Sequence, residues 1–334
     1  MSVLAQRHAA SHLSGPRRLD PSTDLTDVAS LIEEAFADEL DREGKQILRE
    51  LRQISRLGPL LWVLKQIGTG FDDLMSGFVW DEDGQIVGNV SISPIGQIFS
   101  NWRISNVAVR APYRNRGIAK QIMQTAIDYI RYRGGRTVYL QVRDDNQPAI
   151  HLYQNLGFQT VTAETELCLS AAKTITQPTA VQARPLRPQE GAEVYFLALD
   201  SVPAADQRLN PLQKLDFELD WLQRLSETLT TLISGQRTYR FVADGKNGLA
   251  GYISLVTARR GTGVHRMRLL VRPAYEGKVE SALISAALGI LAQLSPAETQ
   301  IKLNAGKKQE IEALQSFGFI KRRTLVTMEL SLGR

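Results

Sequence analysis

A cluster of basic residues around one glycine, Arg114-Asn115-Arg116-Gly117-Ile118-Ala119-Lys120, has the residue types and spacing to hold a diphosphate. A bound diphosphate needs backbone N–H groups without other partners, the positive end of a helix dipole, and no bulky side chain in its way. Gly117 and the small Ala119 at a helix start meet those needs, and Arg114, Arg116 and Lys120 add neutralising charge. Just before them, Asn106-Val107-Ala108-Val109-Arg110 alternates as a strand does, and helical periodicity takes over after Gly117. Strand, turn and helix start are predicted in that order.

A second group lies downstream. Thr137 to Val142 predicts another strand, and the run from Asn146 to Phe158 predicts a short helix opened by Pro148 and stopped by Gly157. Tyr153 on that helix could face the ends of the preceding strands. Together the two groups resemble the GNAT superfamily of acyl-CoA-dependent N-acetyltransferases. Within it, Leu140-Gln141-Val142-Arg143, Asn146, Ala149-Ile150, Leu152-Tyr153 and Leu156-Gly157-Phe158 are most similar to the bacterial ribosomal-protein-alanine acetyltransferases.

The resemblance implies transfer of an acetyl group from acetyl-CoA to a primary amine of a small molecule or protein N-terminus. Direct attack in a ternary complex is expected, because neither group places a nucleophilic Cys or Ser. The backbone of Val107, Ala108 and Val109 would pair with the pantetheine arm as with an added strand, and a freed N–H near Val109 would polarise the thioester carbonyl. Arg114, Asn115, Arg116, Gly117, Ile118, Ala119 and Lys120 would cradle the pyrophosphate. By the same resemblance, Asn146 matches an asparagine near the pantetheine and Tyr153 the tyrosine that protonates the leaving thiolate. Gln141 departs from the pattern, standing where the ribosomal-alanine subfamily has a glutamate proposed as general base. Glutamine accepts no proton at neutral pH, so a chain of waters is the expected route for deprotonation. Asp144 and Asp145 read as loop or cap residues and His151 as helix surface. Two other readings stand beside this one. The first is a non-catalytic acyl-CoA sensor, in which Gln141 marks lost turnover. The second is a mycothiol-synthase-like enzyme, although in that family the C-terminal half is catalytic, whereas here the intact signatures are N-terminal.

The elements that position these residues belong to a chain of 334 residues, enough for two domains of about 150 to 170 each. With 43% hydrophobic and 22% charged residues and a net charge of +5, the composition is that of a mildly basic globular protein. Lys321-Arg322-Arg323 and Arg259-Arg260 are too short for a nucleic-acid-binding run. The single Cys168 excludes an intrachain disulfide, and its alternating neighbours Thr165, Leu167 and Leu169 predict a strand in a reduced, cytoplasmic protein. No secretory signal is recognised, and the apolar run Leu57 to Ile67 is too short to span a bilayer. His8 and His12 lack a third ligand, so no metal is expected. The oligomeric state is not readable.

An internal repeat organises the chain. Val107-Ala108-Val109-Arg110…Tyr113 returns as Leu269-Leu270-Val271-Arg272…Tyr275, an offset of 162 (272 − 110), and Leu156-Gly157-Phe158 returns as Phe317-Gly318-Phe319, an offset of 161 (318 − 157). The expected fold class is α+β: two tandem GNAT folds, each a mixed, mostly antiparallel sheet flanked by helices. The expected division is a flexible N-terminus at 1–15, a catalytic domain at 16–170, a linker at 171–180 and a degenerate domain at 181–334. In the first half, a strand near Arg17 to Leu19 leads to a helix over about Thr23 to Leu40 capped by Ser22 or Thr23. A longer helical region near Arg42 to Ile67 follows, then a hairpin of Gly77 to Trp80 and Ile86 to Ser93. In the second half Glu276, Val279 and Glu280 stand where the first has Arg114, Gly117 and Ile118. Leu314 stands for Tyr153 and Lys307 for Asn146. Framework is kept and chemistry lost, so the second half is expected to shape the acceptor groove.

Overall fold

The computed structural model describes residues 14–37, 76–95, 100–170, 181–217, 235–258, 263–294 and 296–333. The helical region expected at 42–67, the linker at 171–180, His8, His12 and the N-terminus up to residue 13 lie outside the described residues. The chain divides into two compact units that are not contiguous in sequence. The first takes the described residues of Met1–Gln141, Gln147–Thr160 and Met328–Arg334, and the second takes those of Val142–Asn146 and Val161–Thr327.

In the first unit, β1 (Gly15–Arg18), β2 (Ser76–Glu82), β3 (Gln85–Pro94) and β4 (Asn101–Val109) pair antiparallel in that order, and β5 (Thr137–Arg143) adds parallel to β4. The hairpin expected near 77–93 is β2 and β3, joined through Asp83 and Gly84, both with positive φ. Helix α1 (Leu25–Ala35) buries Leu25, Val28, Ala29, Leu31 and Ile32, a stripe at three- and four-residue spacing, against Val79, Ile86 and Ala108. Full burial of one such aliphatic side chain contributes roughly 1.5–3 kcal/mol. The helix starts later than the sequence suggests and without a Ser or Thr cap. Asp24 holds the N-cap position but makes no capping bond, because its carboxylate accepts instead from Arg17 at 2.6 Å and from the Asp20 N–H at 2.7 Å. Helix α2 (Ile118–Tyr132) buries Ile118, Ile122, Met123, Ala126, Ile127 and Ile130. It lies so close to β3 that a Cβ on Gly88 would stand 3.1 Å from Ile118 Cγ2, which is why glycine occupies that position. Helix α3 (Gln147–Asn155) follows β5.

Each unit takes strand residues from the other half of the sequence. The strand β12 (Ile320–Ser331), at the C-terminal end of the chain, gives its residues 328–331 to the first unit. Met328 is fully buried, Leu332 N–H donates to the Arg136 carbonyl at 2.8 Å, and Leu330 packs at Gly157. In the second unit β7 (Ala183–Pro185), β8 (Thr238–Gly245), β9 (Gly248–Val256) and β10 (His265–Val271) pair antiparallel, β11 (Thr299–Asn304) adds parallel to β10, and β6 (Gln159–Leu169) pairs antiparallel with β11 from Thr299↔Leu169 to Asn304↔Glu164. Among the described residues it carries four α-helices: α4 (Gly191–Ser201), α5 (Ala204–Leu209), α6 (Glu280–Leu291) and α7 (Lys308–Ser316). No described helix is long and apolar enough to cross a membrane.

Candidate active site

The strand-turn-helix of the first unit is built as the sequence predicts. Arg110 N–H donates to the Val87 carbonyl at 2.8 Å, a 3-10 turn spans Ala111–Tyr113, and Arg114 Nε reaches back to the Val109 carbonyl at 3.1 Å. Asn115 (φ 63°) and Gly117 (φ 77°) are both left-handed, a conformation open to glycine and tolerated by asparagine. Gly117 is the N-cap of α2 and offers no side-chain acceptor, so the first-turn N–H groups of this helix start uncapped. Arg114, Asn115, Arg116, Gly117 and Lys120 are exposed, and the Arg116 guanidinium lies 4.9 Å from the centre of the Tyr113 ring. Ile118 turns its side chain into the core, leaving only its backbone for a ligand, and Ala119 is half-buried.

Two features open the strand ahead of this loop. Parallel pairing of β4 with β5 runs from Asn101↔Thr137 to Arg103↔Tyr139 and no further, so the C-terminal parts of the two strands are splayed. On its other side β4 bulges. Asn89 faces Ala108 and Ile92 faces Ile104, so three steps along β3 match four along β4, with the shift at Asn106–Val107 and Asn106 left-handed (φ 51°). The extra residue of a bulge is unpaired in the ladder. The unpaired backbone of the bulge is thus at Asn106–Val107, two to three residues before Val109, and Val107 and Val109 flank the buried Ala108.

Tyr153 projects from α3 into the core, 6% exposed, with its ring edge-on to Phe158 at 6.1 Å. Burial pushes its phenol up to about 12, so the hydroxyl holds its proton throughout the neutral range. Asn146 closes the turn after β5, donating its N–H to the Arg143 carbonyl at 3.1 Å. It clusters with the second unit, whereas the loop and Tyr153 cluster with the first. Gln141 and His151 are exposed. Asp144 pairs with Lys321 at 3.2 Å, and Asp145 accepts both ends of the Arg143 guanidinium at 2.9 and 2.5 Å. Both carboxylates are thus engaged in ion pairs. Among the described residues no group of three or more His, Cys, Asp or Glu could hold a metal ion. Sequence reasoning passed over Asn89, fully buried in β3; an asparagine inside Ile86-Val87-Gly88-Asn89-Val90 was the available signal.

The corresponding loop of the second unit has the same path and opposite chemistry. A 3-10 turn spans Pro273–Tyr275 and Gly277 is left-handed (φ 77°), but α6 follows Val279 at φ −119°. The Glu280 carboxylate folds back onto the loop, accepting from the N–H groups of Gly277 at 2.7 Å and Val279 at 3.1 Å. An internal anion thus occupies donors that an open loop would turn to a ligand. Lys307 bonds Glu276 at 2.6 Å and Glu310 at 3.2 Å. Burial alone would lower Lys307, but the two carboxylates raise it overall, and burial raises Glu310. Leu314, fully buried, stands in Tyr153's place. β9 and β10 pair without a shift from Arg266↔Val256 to Val271↔Gly251, so this unit has no bulge there.

Residues 38–158 match the model of the acetyltransferase (GNAT) family. The N-alpha-acetyltransferase RimI of Mycobacterium tuberculosis is 35% identical over 79 residues, 23% of this chain and 48% of that protein. Streptothricin acetyltransferase of Streptomyces lavendulae is 34% identical over 80 residues, 23% of this chain and 40% of that protein. The chain thus spans less than half the length of these curated relatives. Two solved structures share the fold along nearly the whole chain. A GCN5-related N-acetyltransferase from Sphaerobacter thermophilus has a TM-score of 0.62 at 15% identity, covering 96% of both chains. A tandem GNAT protein from the clavulanic acid biosynthesis pathway has a TM-score of 0.53 at 17% identity, covering 96% of this chain and 99% of its own. Over residues 38–158, the first half of the chain is thus similar to GNAT acetyltransferases.

Proposed function

We propose that the first unit is an acyltransferase that moves an acetyl group from acetyl-CoA to a primary amine, of a small molecule or a protein N-terminus, by direct attack. The observation that carries this reading is the uncapped, left-handed Asn115–Gly117 loop directly after a bulged strand splayed from its parallel neighbour. The splayed edge of β4 suits an extended pantetheine arm, which adds to a sheet as a strand does. The loop suits the diphosphate, with backbone donors and the exposed cations Arg114, Arg116 and Lys120. In the step itself the neutral amine nitrogen bonds to the thioester carbon and the carbon–sulfur bond breaks. A bulge N–H takes the charge that grows on the carbonyl oxygen, the Tyr153 hydroxyl gives its proton to the departing thiolate, and the amine's surplus proton passes through water and restores the one that Tyr153 gave. Tyr153 suits the acid role as a phenol that carries its proton at neutral pH, and burial makes it the weaker acid of the pair until the thiolate charge draws on it.

Calorimetric titration of acetyl-CoA into the wild type and into Gly117→Glu tests this, with transfer to a panel of amines and N-terminal peptides followed in parallel. Wild-type binding that Gly117→Glu weakens at least ~100-fold, with turnover on some amine, is expected; a carboxylate at the loop repels the diphosphate as Glu280 would in the second unit. Binding without turnover on any amine would point to an acyl-CoA sensor, and absence of wild-type binding would remove the coenzyme A assignment.

A further inference from the structure

Asn89 is fully buried, and its carboxamide makes a contact that packing does not require. Its Nδ2 donates to the Asn106 carbonyl at 2.9 Å and lies 3.4 Å from Ser91 Oγ, and the Asn106 carboxamide in turn donates to Ser91 Oγ at 3.2 Å. The Oδ1 of Asn89 is buried without a hydrogen-bond partner among the described residues. Its neighbours across the ladder, Val79 and Ala108, belong to the apolar face under α1. A leucine would fill such a place without leaving a polar atom stranded, so the asparagine is held for its donor. Reversing the amide would set two oxygens against each other.

The second unit supplies an internal control. Tyr252 faces Leu270 as Asn89 faces Ala108, and it is an ordinary buried ring. There three steps along β9, Tyr252 to Leu255, match three along β10, Leu270 to Met267. Where the asparagine is missing the ladder runs straight, and where it is present the strand bulges with a left-handed residue at its centre.

We propose that Asn89 is a positioning residue for acyl transfer: it holds the Asn106 carbonyl in the bulged conformation and so aims the released backbone N–H at the reacting carbonyl oxygen. The proposal rests on reading the first unit as an acetyltransferase. Asn89→Leu removes donor and orphan together, whereas Asn89→Asp keeps the shape and the acceptor but has no amide donor. Either should lower kcat about 100-fold, the scale of losing one oxyanion donor, with the acetyl-CoA Kd within about threefold of wild type. The Asn89→Leu melting temperature should be unchanged or raised, separating the loss from unfolding. Adding Asn106→Gly to Asn89→Leu should recover at least about tenfold, because glycine takes a left-handed conformation without a clamp. Solution NMR gives a readout independent of turnover: the strong intraresidue N–H to Hα contact of left-handed Asn106 should weaken in Asn89→Leu. Persistence of that contact in the variant, or kcat within threefold of wild type, would overturn the proposal. Failure of the wild type to bind acetyl-CoA would instead sink the acetyltransferase reading, while the NMR contact would still decide whether Asn89 sets the bulge.

Discussion

The two units repeat their struts and differ in their openings. In the first, Arg17 of β1 grips Asp24 at 2.6 Å and Asp81 at 3.0 Å; in the second, Arg184 of β7 grips Glu190 at 2.8 Å and Asp244 at 2.7 Å. Arg110 reaches Glu34 at 2.8 Å, and its counterpart Arg272 reaches Asp200 at 3.3 Å. Gly88 and Gly251 each admit a helix that a Cβ would obstruct. These duplicated contacts tie strand ends to helices, as any copy of the fold requires whatever it binds. Among the described residues, the first unit has an exposed loop ending at Gly117, a bulged β4 and Tyr153, whereas in the same places the second has a loop whose N–H groups Glu280 engages, a straight ladder and Leu314. What is shared is framework, and what is unshared falls at the residues that the proposed function uses.

The largest effect is expected where residues of the C-terminal half complete the first unit. Deleting residues 328–334 shortens the second half of the sequence, yet it removes buried Met328 and the Leu332–Arg136 bond from the first unit. We expect a loss of about 3–5 kcal/mol, the scale of emptying a large buried side chain's site, together with loss of acetyl-CoA binding. Urea denaturation followed beside calorimetry checks it; an unaltered first unit would mean that the exchanged strand is dispensable.

Tyr153→Phe should lower kcat about 100-fold and leave the acetyl-CoA Kd within about threefold, while Leu314→Tyr in the second unit should confer nothing. Because burial raises the phenol to about 12, turnover should climb with pH as the amine loses its proton, with no decline from Tyr153 near pH ~10. The raised value has a matching effect on stability. The phenol's contribution is fully present below its unfolded value of about 10 and is lost as pH rises through about 12. A pH–rate profile and pH-dependent melts check both; a basic-limb fall centred near pH ~10 would contradict the burial.

The duplicated framework contacts should give the smallest effects. Arg17→Ala and Arg184→Ala should each cost about 1 kcal/mol, since solvent screens both clusters, and neither should change acetyl-CoA affinity by more than about twofold. Unequal affinity effects would show that one strut also serves the site.

The loop was legible because a glycine among cations at a strand-to-helix junction leaves few other readings, and the second unit's departures were legible because a repeat aligns them residue by residue. The exchange of β6 and β12 was not. Both strands follow the same Gly-Phe ending in equivalent positions of the repeat, so either pairing satisfies the same alternation of apolar residues. The role of Glu280 was half legible: its charge was read as repulsive, but the carboxylate occupies the loop's own donors. The start of α1 was misread because Asp24 is drawn to Arg17, a contact across the fold that no local cap signal contains. Asn89 was overlooked because one polar residue in an apolar strand carries no motif, and its meaning depends on a bulge in the neighbouring strand.

On the proposed reading, the first unit binds the coenzyme and the second does not. The stoichiometry of acetyl-CoA binding by calorimetry, measured on the full chain and on Gly117→Glu, decides this. One site per wild-type chain, lost in the variant, is the predicted result; two sites, or one site that survives Gly117→Glu, would contradict it.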